Sequence, residues 1–190
     1  MTTPSDILAF WFADGPDTFR EAWFKRDESF DAAIRDRFGA VAAQGRAGAL
    51  NDWAATAEGA LALAILLDQF PRNLHRGSAE AFAADPMMRD IARDAVLARR
   101  LDLALAPTQR VFLYLPFEHS EAMPDQDLSV ALFEGLRDHP HHAKPGGTID
   151  YAWRHRAVIL RFGRFPHRNA ALGRTSTPEE AAFLAAGGGF

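Results

Sequence analysis

"TPSDILAFWF" (3–12) and "TSTPEEAAFL" (175–184) open in the same way near opposite ends of the 190-residue chain. Each sets a threonine before a proline and follows with acid. Threonine accepts from the orphan amides of a first helical turn, proline loses nothing at a first helical position, and acid favours the positive end of the helix dipole. Thr3 and Thr177 are therefore expected to cap helices that begin at Pro4 and Pro178. Residues 28–46 space Phe30, Ile34, Phe38 and Val41 by three and four, the pattern of a helix with one apolar face. Further helices are expected over 57–69 behind Thr56, from Asp85-Pro86 to about Arg100, from Thr108 on, from Pro124 or Asp125 to about Arg137, and over 149–163 behind Thr148. No alternating strand with a hairpin turn occurs, and "LDLALA" (101–106) is too short to decide. The expected fold is all-α: seven to nine helices packed as antiparallel pairs in a single domain, 1–190.

Hydrophobic residues make up 48% and charged residues 24%, a globular composition. A net charge of −4 argues against nucleic acid as a partner. Cysteine is absent, which excludes disulfides and thiolate-held metals. The longest apolar run, "ALALAILL" (60–67), is far short of the ~20 residues a membrane span needs. With no signal-peptide pattern at the start, the cytoplasm is the expected location and no membrane partner is expected.

The charge is unevenly placed. Between Tyr151 and Pro178 there are arginines at 154, 156, 161, 164, 168 and 174 and no acid. The stretch 118–138 holds Glu118, Glu121, Asp125, Asp127, Glu134 and Asp138 against Arg137 alone. Either the two regions pair, or the arginine-rich one makes an anion site.

Two segments echo each other. "LLDQFPRN" (66–73) and "RFGRFPHRN" (161–169) each end an apolar helix on Phe-Pro and then supply arginine and asparagine. Proline disfavours helical geometry in the residue before it, so these helices are expected to stop near Phe70 and Phe165. Asp68 falls on the apolar face of its helix, and a buried carboxylate needs a partner, with the arginines of 161–168 as expected mates. In "RVFLYLPFEHSEAMPDQ" (110–126), Arg110, Tyr114 and Glu118 are four apart, but Pro116 is expected to break the turn and put Glu118 and His119 in a loop. Glu118, His119 and Glu121 offer two carboxylates and an imidazole within four residues, an acid/base set. His155 lies on an apolar face, the position of a core histidine, whereas His167 sits in an arginine-flanked loop. His139, His141 and His142 fall in a glycine- and proline-rich stretch read as solvated loop. No His-Glu-x-x-His, Gly-x-Ser-x-Gly, Walker motif or dinucleotide fingerprint is present, and no cofactor or metal is assigned.

"FWFADGPDTFREAWF", "LLDQFPRNLHRGSAEAFAAD", "FLYLPFEHSE", "YAWRHRAVILRFGRFPHRN" and "LGRTSTPEEAAFL", in this order, resemble the bacterial family known as domain of unknown function 924. The resemblance runs from about Ile7 to Phe190. It implies an all-α fold of stacked helical hairpins, similar to a tetratricopeptide-repeat array with a right-handed superhelix, and no activity. Ala122 departs from the family, which usually has a polar residue after "FEHSE".

Two functions fit these residues. The first is a pocket for a small anion, a carboxylate or phosphate ester, with hydrolysis as its reaction. Its catalytic candidates are Glu118, His119, Glu121 and His167. Its ligand-binding candidates are Asp68, Arg72, Asn73, Arg76, Arg110, Tyr114, His155, Arg161, Arg164, Arg168 and Asn169. The alternative is a helical-repeat interaction module with a protein partner and no catalysis, exposing an apolar groove that includes Trp11, Trp23 or Trp53. A metal site would draw on His119, Glu121, His155 or His167.

Overall fold

The computed structural model describes residues 1–190. Every regular element is a helix or helical turn, so the all-α expectation holds. The chain divides into two compact units, one of Met1–Arg76 with Glu80–Pro116, the other of Gly77–Ala79 with Phe117–Phe190. No helix is long and apolar enough to cross a membrane.

In the first unit α1 (Pro4–Trp11) starts at Thr3, which accepts from the Asp6 amide while the Asp6 carboxylate accepts from the Thr3 amide. Helix α2 (Glu28–Arg46) buries Phe30, Ile34, Phe38 and Val41, as the spacing predicts. Thr56 caps α3 (Ala57–Ala64). Gly59 is required here, because a Cβ would lie 1.9 Å from the Trp53 carbonyl oxygen.

The helix does not stop at Phe70. After α3 it widens into a π turn, Ile65–Gln69, closed by the Phe70 amide on the Ile65 carbonyl, and resumes as α4 (Phe70–Leu74). A proline in a regular helix clashes with the carbonyl four residues back and loses a hydrogen bond. The wide turn inserts a residue, so Pro71 falls at the start of α4, where no amide is needed. Helix α5 (Asp85–Arg93) runs into a second π turn, Asp94–Ala98, and "LDLALA" becomes a short tight turn at Leu101–Ala104. Helix α6 (Pro107–Glu118) also passes through its proline. An interior proline costs about 3 kcal/mol. The fully buried Phe112, Leu113 and Phe117 around it hold the helix together, so Glu118 is helical rather than in a loop.

Trp11 stacks on Trp23 at 5.9 Å and meets Phe70 at 5.6 Å. Both tryptophans are buried, so neither supplies the exposed groove of the interaction-module reading.

In the second unit α7 (Met123–Glu134) packs along α9 (Thr148–Phe162), with the one-turn α8 (Pro140–Ala143) beside α9. Gly147 rather than Thr148 is the α9 cap, and the Thr148 hydroxyl contacts His142 Nδ1 at 3.1 Å. His142 is buried, so the stretch read as solvated loop is in part packed structure. Helix α9 ends at Gly163, whose φ of 69° lies in the left-handed region that glycine tolerates. Phe165 is extended, as expected before proline, and Pro166–Arg168 form a tight turn. The stop therefore comes from glycine, two residues before Phe165. Helix α10 (Pro178–Ala185) has the expected Thr177 cap, reciprocated by Glu180. Val158, Ile159 and Phe165 form the core here, with Met123, Phe162 and Phe183 against them.

Candidate functional site

In the second unit, the last turn of α6, the middle of α9 and the Pro166–Arg168 turn bring Glu118, His119, His155, His167 and Arg168 together. His155 is buried, one turn after Tyr151 on α9. Its Nδ1 lies 2.8 Å from the Tyr151 carbonyl oxygen and 3.2 Å from Glu118 Oε1. A carbonyl only accepts, so Nδ1 carries the proton and Nε2 keeps its lone pair. Burial, then the positive neighbours His119, Arg168 and His167, hold the His155 pKa well below its ordinary value, against the pull of the Tyr151 carbonyl. With the imidazole neutral and its one Nδ1–H on the Tyr151 carbonyl, the Glu118 contact is a close approach that becomes an ion pair when His155 is protonated. A backbone carbonyl that holds Nδ1–H, a carboxyl 3.2 Å away and Nε2 left as acceptor are the parts of a proton-transfer pair.

The His119 ring lies 6.2 Å from that of His155. Arg168, also buried, donates to the His119 carbonyl at 3.0 Å and lies over the Phe165 ring at 4.5 Å. His167 packs 5.5 Å from Phe165. Three of the four catalytic candidates belong to this cluster. The fourth, Glu121, is a clamp: it takes two hydrogen bonds from Arg174 at 2.7 and 3.0 Å and one from the Phe165 amide at 2.8 Å. Burial would raise its carboxyl, but these donors outweigh it and hold the group below its ordinary value. Arg161 pairs with Glu179, and Arg164 chelates Glu180 while donating to the Thr175 carbonyl. Asn169 reaches Ser176 and Glu180. Those bonds, led by Arg164, hold the Glu180 pKa down at about 2. Arg156 pairs with Asp127 at 2.7 Å. Much of the arginine-rich stretch thus faces acids, some of them from 118–138.

The remaining candidates lie in the first unit. Asp68 is fully buried, accepts from Gln69 and pairs with Arg72 at 3.1 Å, and Arg72 also makes two bonds to Asp85 at 2.9 Å. The π turn sets this local partner, which the sequence reading did not assign. Asn73 and Arg76 both bind Asp31 and, with Arg26 and Arg35, line an open cleft of about 460 Å³. Arg110 donates to the Leu105 carbonyl, and Tyr114 to Asp102 at 2.7 Å. Burial, then Asp102, raises the Tyr114 pKa.

The sequence reading missed the pairing of Glu118 with His155 and the partners Arg174, Glu180 and Asp85. A core-facing histidine and acids at helix starts were the available signals. No group of three or more histidine, aspartate or glutamate side chains is placed to hold a metal ion.

No curated protein matches the chain. A solved structure of a protein of unknown function, ATU0120 from Agrobacterium tumefaciens, is similar to it with a TM-score of 0.84 at 41% identity, covering 95% of this chain and 96% of that one. The model of a bacterial protein family of unknown function, DUF924, matches residues 7–188. With that match across nearly its whole length, the chain belongs to the DUF924 family.

Proposed function

We propose that the cluster around His155 binds a small anion, a carboxylate or phosphate ester, and that His155 moves a proton in its hydrolysis. One observation carries this reading: Glu118 lies 3.2 Å from a buried imidazole whose proton is fixed on Nδ1. The Arg168 guanidinium supplies positive charge beside that imidazole, and the His119 and His167 rings lie close by, a complement for an anion. In the reaction, His155 Nε2 takes a proton from water, the water oxygen bonds to the ester phosphorus or carbonyl carbon, and the ester bond breaks. The imidazolium then gives the proton to the departing alkoxide. Glu118 steadies the imidazolium from the other side.

Phosphate and acetate should each raise the melting temperature of the wild type, since a ligand that binds only the folded state stabilises it. His155→Asn should abolish turnover of an activated phosphate or acyl ester. Turnover by His155→Asn equal to wild type would overturn the catalytic reading, and an absent thermal response to both anions the binding one. The second reading, an interaction module, draws on Trp153 and Leu160, seven residues apart on α9 and both exposed.

A further inference from the structure

Phe190 lies face to face on the His155 imidazole, with ring centroids 3.5 Å apart and planes 11° from parallel. Phe165 and His167 meet the same ring edge-on at 6.2 and 5.9 Å. The seat is one ring wide: a flat floor with two aromatic walls. The three glycines before Phe190 deliver the ring. A Cβ on Gly188 would lie 2.5 Å from the Phe183 ring, and one on Gly189 would lie 3.3 Å from His167 Cβ. The backbone therefore runs along a path that a larger residue at 188 would block. Phe190 is nonetheless 47% exposed, so it covers His155 on one side and meets solvent on the other. An aromatic contact of this kind is weak enough to exchange with a ligand.

We propose that the Phe190 seat is a subsite for the planar ring of an aryl carboxylate or aryl phosphate ester, and that residues 187–190 are its displaceable internal occupant. This rests on the anion-binding reading of the same cluster. The ligand's ring takes the place of Phe190 on His155, between Phe165 and His167, and its anionic group lies toward Arg168 and His119. Charge and shape together select this class: the Arg168 guanidinium complements the anion, and the slot admits a single flat ring. A segment that holds the seat lowers the apparent affinity in proportion to the fraction of molecules it blocks.

Titration of the full chain with phenyl phosphate and with inorganic phosphate, followed by calorimetry and by the His155 imidazole NMR signals, tests the proposal. Wild type should bind phenyl phosphate more tightly than inorganic phosphate, and phenyl phosphate should shift the His155 signals. Phe190→Ala should tighten phenyl phosphate by about fivefold, the worth of one aromatic contact. Gly188→Ala, which drives the 187–190 segment off Phe183, should act in the same direction. Inorganic phosphate that binds while phenyl phosphate gains nothing from either variant would overturn the aryl subsite and leave the anion site standing. Binding of neither probe by any of the three proteins would overturn both.

Discussion

Acid should weaken this fold through His155. Burial and the positive neighbours His119, Arg168 and His167 place its folded-state pKa well below the unfolded value of 6.5. Below pH 6.5 the unfolded chain takes up a proton that the folded imidazole refuses. The stability concerned is whole above that pH and is lost as pH falls toward the folded pKa. One proton bound by the unfolded state alone costs about 1.4 kcal/mol per pH unit. Between pH 7.5 and 5.0 the loss is at most about 2 kcal/mol, the limit set by the unfolded pKa, or up to roughly 8 °C in melting temperature for a chain of this size. The Glu180 carboxyl acts in a separate window. Its pKa is about 2 against an ordinary 4.5, so its contribution is present above 4.5 and lost between there and about 2. His155→Asn removes the titration and keeps an amide donor near the Tyr151 carbonyl, while His119 and His167 remain in both proteins. Melting curves from pH 7.5 to 5.0 should show the steeper decline in wild type, whatever the absolute stabilities. Parallel declines in the two proteins, or a His155 NMR midpoint at or above 6.5, would refute the reasoning.

Two further outcomes follow from local geometry. Gly163→Ala meets no atom within 4 Å, so its cost is backbone strain alone at a φ of 69°, about 1 kcal/mol, seen as a melting temperature lower by roughly 2–4 °C; an unchanged melting temperature would mean that α9 ends in some other way. Glu121 and Arg174 are both less than one-third exposed and share two hydrogen bonds, so a Glu121→Gln, Arg174→Ala double-mutant cycle in urea should give a coupling of about 1–2 kcal/mol, and a coupling near zero would show the clamp to be idle.

Local chemistry made much of the architecture legible. Thr3-Pro4 and Thr177-Pro178 start helices because capping needs only a hydroxyl and a free first turn, both written within four residues. The apolar spacing of residues 28–46 marked the buried face of α2 for the same reason. The helix breaks expected at Pro71 and Pro116 do not occur, because a proline's cost depends on what surrounds it. At Pro71 a π turn moves the ring to a helix start, and at Pro116 buried neighbours hold the helix through it. Neither compensation is visible in the residues beside the proline.

The site divides along the same line. The sequence singled out the candidates: Glu118, His119, His155, His167 and Arg168 all stood out by type and place. Only the tertiary structure decided that Glu118 lies beside His155, that Glu121 belongs to Arg174, and that Phe190 covers the imidazole. Helical periodicity and caps act within one turn and can be read along the chain. A pairing between residues 37 or 53 positions apart exists only once separate helices have packed, and the energy that selects it is the desolvation of charge inside that packing.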